Sequence, residues 1–108
     1  MMSDFKFMGF RPNEDLEEKA NRALDRLQEM APYGSIAVAL MQKDASSYCC
    51  AIELYTKQGP FTARRYDKHP EVALENVVRA LSNRINHWKE ELKLASRDQQ
   101  NQQLHNSI

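Results

Sequence analysis

The sequence predicts an α+β domain in the order β-α-β-β-β-α, a four-stranded sheet with two helices packed on one face. Three observations point there. Two segments, 14–27 and 73–92, repeat apolar residues at three- and four-residue spacing, each a single buried stripe of an amphipathic helix. Between them lie three β-rich segments joined by two short turns, the pattern of an antiparallel meander. A short aromatic segment precedes the first helix. With one stripe each, each helix covers one sheet face. The simplest packing sets both on the same face and leaves the other open.

The first strand is "DFKFMGF", residues 4–10, which mixes aromatics with alternating character. Asn13 then reads as an N-cap. Glu14, Asp15, Glu17 and Glu18 place negative charge where the helix dipole favours it. Leu16, Ala20, Ala23, Leu24 and Leu27 form the stripe, and Pro32 and Gly34 end the helix. "SIAVALMQ" reads as a strand with Ile36, Val38 and Leu40 on one face. "KDASS" is a turn, and "YCCAIELYT" is a strand with Cys50, Ile52 and Leu54 on one face. "KQGP" is a second turn, and "FTARRY" a further strand. The last helix starts near Pro70, since proline is tolerated in a first turn. Ala73, Leu74, Val77, Leu81, Ile85, Trp88 and Leu92 make its stripe over roughly six turns. After Leu94 the stripe fails. The expected division is one domain over residues 1–95 and a polar, disordered tail over 96–108.

Composition removes several function classes. Acids and bases balance at 15 each, against phosphate binding driven by total charge. Residues 1–58 carry 7 Lys/Arg and 9 Asp/Glu, net −2, and residues 59–108 carry 8 and 6, net +2, so any basic surface is local. No run of about 18 apolar residues occurs, so no membrane span is expected. The start "MMSDFKFMGF" lacks the pattern of a signal peptide. Cys49 and Cys50 are neighbours whose side chains point to opposite faces of a strand, so no disulfide is expected between them. Two reduced cysteines fit a cytoplasmic location. His69, His87 and His105 are scattered and read as surface residues. No phosphate-cradling glycine loop and no GxSxG occurs. We therefore expect no enzyme, no catalytic residue, no metal, no cofactor and no small-molecule substrate.

Two surfaces remain as candidates. If Ile36, Val38, Leu40, Cys50, Ile52 and Leu54 face the helices, alternation turns Ala37, Ala39, Met41, Cys49, Ala51, Glu53 and Tyr55 outward, joined by Thr62, Arg64 and Tyr66. For a solvated face that set is small and apolar. It reads either as a docking surface for a partner or second copy, or as a modestly apolar exposed sheet. Ala37, Ala39, Met41, Cys49, Ala51 and Tyr55 are its interface candidates. The second surface is basic. Arg64 and Arg65 share a strand but point to opposite faces, so one leans toward the helix side. On the last helix Arg79, Asn86 and Lys93 share a stripe flanked by Asn83, Lys89 and Arg97, with Arg84 and His87 on another side. Such a stripe suits phosphate and 2′-hydroxyl groups, while Glu75, Glu90 and Glu91 dilute its field. An RNA surface and a solvated helix face both fit.

Three segments resemble the ribosome hibernation-promoting factor family, small bacterial proteins that bind the small ribosomal subunit and silence translation during starvation. "FKFMGF" resembles the family's first strand ending in glycine, "NEDLEEKANRALDRL" its first helix, and "HPEVALENVVRALSNRINHWKEEL" its closing helix. The resemblance spans residues 5–92 and is to the short form, without the C-terminal dimerisation domain of some relatives. It departs at Glu71, where the family has a tyrosine, and at "HWKEELK", where the family is lysine-rich. The resemblance implies a non-enzymatic factor that binds small-subunit ribosomal RNA. By position, Arg64, Arg65, Arg79, Arg84, Lys89 and Lys93 would hold that RNA. The alternative is a module that self-associates as a homodimer through the open sheet face.

Overall fold

The computed structural model describes residues 5–106, with side chains through residue 95. The elements run β1 (Phe5–Met8), α1 (Glu14–Met30), β2 (Ile36–Asp44), β3 (Ser47–Thr56), β4 (Gly59–Asp67) and α2 (Pro70–Asn106). They form one sheet in the order β1-β2-β3-β4. β1 pairs parallel to β2 across α1, and β2-β3-β4 is the expected antiparallel meander. Parallel strands need such a crossover, because a tight turn can only reverse the chain.

Local chemistry explains the boundaries. Asn13 Oδ1 accepts the Leu16 N–H at 2.8 Å and caps α1, a bond whose loss costs about 1 kcal/mol. Further along, Asn21 Oδ1 accepts the Phe5 N–H at 3.1 Å and ties α1 to β1. Gly9 closes β1 with φ 80°, where a Cβ would lie 2.7 Å from the Lys43 carbonyl oxygen, so only glycine fits. The turns are shorter than the sequence suggests. Asp44 still pairs with Ser47, and Thr56 with Gly59. Two residues remain at each reversal, and Ala45 takes φ 54° in the first. The segment from residue 96, expected as a disordered tail, continues the α2 backbone to Asn106; the last two residues lie outside the described ones. Its arginine and glutamines are good helix formers, so loss of the apolar stripe removes packing without removing helical propensity.

Both helices cover one sheet face. Leu16, Ala20, Leu24 and Leu27 of α1 and Ala73, Leu74, Val77, Leu81 and Ile85 of α2 are buried against Phe5, Ala39, Met41, Cys50, Ile52, Leu54 and Phe61. Each fully buried leucine or isoleucine contributes roughly 1.5–3 kcal/mol before chain entropy. The last stripe residue does not join them: Leu92 is 49% exposed, because α2 by then has outrun the sheet.

One face assignment is corrected. Ala37, Ala39 and Met41 of β2 face the helices, with Ala39 and Met41 buried, and Ile36 and Val38 face outward, 63% and 50% exposed. Ala37, Ala39 and Met41 stand opposite Leu54, Ile52 and Cys50 in the register. β2 is apolar on both faces, so alternation alone does not say which is inside. Packing decides it. The large β3 side chains and the helix leucines fill the core, and the small side chains at positions 37 and 39 pack against them.

Candidate nucleic-acid interface

β4 is an edge strand, and α2 runs beside it. The register sends the adjacent arginines apart: Arg64 lies opposite Ala51 on the open face, and Arg65 lies opposite Cys50 on the helix side. Arg65 is at the strand's end, clear of the core, and its guanidinium stays exposed. There it meets α2. Asn76, Arg79, Ala80 and Asn83, at helical three- and four-residue spacing, line a groove of about 280 Å³ with Arg65. Two guanidinium groups and two amides converge, and no carboxylate lines the groove. Its chemistry is that of an anion site: Arg presents fixed donors to phosphate oxygens, and amides donate to either phosphate or sugar.

Both outer carbonyls beside this groove carry an arginine. Arg84 Nη1 donates to the Thr62 carbonyl at 2.6 Å, and Arg65 Nη1 donates to the Arg64 carbonyl at 2.8 Å. Carbonyls two residues apart point to the same edge of a strand. The guanidinium groups thus occupy the edge while leaving other N–H donors of each fork free for a ligand.

The remaining basic candidates lie elsewhere. Lys89 is about 140° around α2 from Arg84, and Lys93 is about 21 Å along the axis from Arg79. Lys93 is 4.0 Å from Glu90 and His87 is 3.0 Å from Glu91, both exposed pairs of little energetic weight. Of the six basic residues expected to bind RNA, Arg65 and Arg79 share this groove, Arg84 bonds the β4 edge, Arg64 lies on the open face, and Lys89 and Lys93 extend along the helix. Asn76 completes the groove and was not singled out in the sequence. Its spacing of three from Arg79 and seven from Asn83 was the available signal.

No protein-family model matches the sequence, and no curated protein matches it. Solved structures do. The Protein Y N-terminal domain of Thermus thermophilus superposes with a TM-score of 0.68 at 11% identity, over 81% of this chain and 97% of that one. The chain has the fold of Protein Y. A ribosomal subunit interface protein from Coxiella burnetii superposes with a TM-score of 0.64 at 11% identity, over 82% and 99%. At this identity the likeness is one of backbone, and the side chains on the Protein Y fold have to be read in this sequence itself.

On that fold the second candidate surface is the uncovered sheet face. Cys49, Ala51 and Tyr55 do lie on it, as expected, but Ala37, Ala39 and Met41 are replaced there by Ile36, Val38 and Leu40. Met8 and Tyr66 extend it, 52% and 62% exposed. A polar group crosses this surface. The Tyr55 hydroxyl donates to Glu53, which raises the phenol above its ordinary value. Tyr66, and then Cys49, raise the Arg64 guanidinium likewise. Cys50 differs from its neighbour: burial pushes its thiol up to about 12, so it stays protonated and inert in the core. Among the described residues no group of three His, Cys, Asp or Glu is placed to hold a metal, and no helix is long and apolar enough to cross a membrane.

Proposed function

We propose that this protein is a non-enzymatic, ribosome-associated factor of the cytoplasm that binds small-subunit ribosomal RNA and silences translation. The reading is carried by the carboxylate-free groove of Arg65, Arg79, Asn76 and Asn83 on a fold shared with Protein Y and with a ribosomal subunit interface protein. Neutral total charge makes this groove, rather than the whole surface, the source of attraction. Two convergent arginines release counterions from phosphate, so affinity should fall steeply with salt. Sedimentation of the purified chain with small subunits through sucrose gradients tests it. Co-migration at low salt that is lost at high salt is expected. A chain that stays at the top of the low-salt gradient overturns the proposal.

A second reading is favoured by Ile36, Val38 and Tyr55, exposed on two neighbouring strands of the open sheet face with Ile36 directly opposite Tyr55. There the protein is a self-associating module, each copy covering the other's apolar face. Analytical ultracentrifugation decides it. A wild type that stays monomeric at high concentration excludes the dimer, and a dimer dissolved by Val38→Glu supports it.

A further inference from the structure

A second groove, of about 420 Å³, adjoins the anion groove, and Asn83 lines both. Its volume lies within the roughly 300–1,000 Å³ range of small-ligand sites. Its walls differ in kind from the first groove. Phe61 and Trp88 meet edge to face with centroids 6.3 Å apart, Phe61 buried and Trp88 half-buried. Arg84 and Gln58 add donors and an amide at the rim. The lone carboxylate there, Glu91, already pairs with His87. An aromatic wall, two amides and an arginine, continuous with a site for phosphate, make up the parts that recognise an unstacked base.

We infer that the two grooves together hold one unpaired nucleotide of a single-stranded RNA, its base against Trp88 and its phosphate on Arg65 and Arg79. The inference rests on the RNA-binding reading and narrows it to a target class. Gln58 and Arg84 offer donors and acceptors to a base edge, and Asn83 stands where the phosphate and base sites meet. A base-paired nucleotide is excluded by its own stacking: its faces are covered within the duplex and do not reach Trp88. Charge complementarity supports this occupant, since three arginines face the paired grooves against one glutamate.

Trp88 is the chain's single tryptophan, so its fluorescence reports this groove alone. The full chain is titrated at low salt with a short oligouridylate, an abasic ribose-phosphate oligomer of the same length, and a duplex of the same length. Quenching of Trp88 by the oligouridylate is expected, with roughly tenfold weaker binding of the abasic oligomer and the duplex. Trp88→Leu is expected to weaken oligouridylate binding by a similar factor and to leave the abasic oligomer unchanged. The abasic arm uses the wild-type protein, so the result stands even if the variant folds poorly. Equal binding of all three RNAs with unchanged Trp88 emission overturns the nucleotide site and leaves RNA binding standing. Failure of all three to bind also overturns the nucleotide site, while co-migration with small subunits in the sucrose gradient decides RNA binding separately.

Discussion

Arg84 of α2 donates its Nη1 hydrogen to the Thr62 carbonyl of β4 at 2.6 Å, across 22 residues of chain. That bond closes an outer edge carbonyl of the sheet with a charge, which edge strands need to avoid pairing with other chains. Arg84→Met keeps the aliphatic stem and removes the bond. It should lower stability by about 0.5–1.5 kcal/mol in urea unfolding and increase concentration-dependent light scattering. An unchanged midpoint and unchanged scattering would show that the bond does neither job.

Arg79 lines the anion groove, and Lys93 stands far along the helix beside Glu90. Arg79→Ala should weaken binding to small-subunit RNA and lower the slope of log affinity against log salt by about 1. Lys93→Ala should leave the slope unchanged. Filter binding across a salt series measures both, and the reverse ranking would move the RNA away from the β4 edge.

Neighbouring positions on β2 should respond in opposite ways. Val38 is half exposed on the open face and Ala39 is buried beneath the helices. Val38→Glu should change stability by less than about 1 kcal/mol. Ala39→Glu should cost more than about 3 kcal/mol, because a carboxylate there is buried without a partner. Thermal unfolding of the pair checks the face assignment, and similar melting points would contradict it.

Cys50 makes stability depend on alkaline pH. Its thiol has an ordinary value of 9.0, the value expected in the unfolded chain, and burial raises it to about 12 in the folded chain. Between these values the unfolded chain loses a proton that the folded chain keeps, so stability is full below about 9 and falls as pH rises toward 12. The loss approaches 1.4 kcal/mol per pH unit at most. Cys50→Ala should remove this component, so its urea midpoint should fall less steeply with pH than that of the wild type. Parallel slopes would rule the effect out.

Ala45 holds φ 54° in the two-residue turn between β2 and β3, a conformation that glycine adopts without the Cβ penalty. Ala45→Gly should raise stability by about 0.5–1 kcal/mol, the relieved strain exceeding glycine's extra chain entropy. Differential scanning calorimetry reads the shift, and a lower melting temperature would count against strain at this turn.

The element order, both helix stripes and the helix starts at Asn13 and Pro70 are legible in the amino-acid sequence, because those depend on local spacing and capping. So is the divergence of Arg64 and Arg65, since side chains alternate along any strand. Which face of β2 is buried is not legible there: Ile36, Val38 and Leu40 are as apolar as Ala37, Ala39 and Met41, and the choice follows from packing against Ile52, Leu54 and the helices. Likewise, only the packing of α2 along β4 brings Arg65 to Arg79 and Asn76, and Phe61 to Trp88. Those residues are more than ten positions apart, and the distance between them is set by how two elements dock, a quantity that local spacing does not contain.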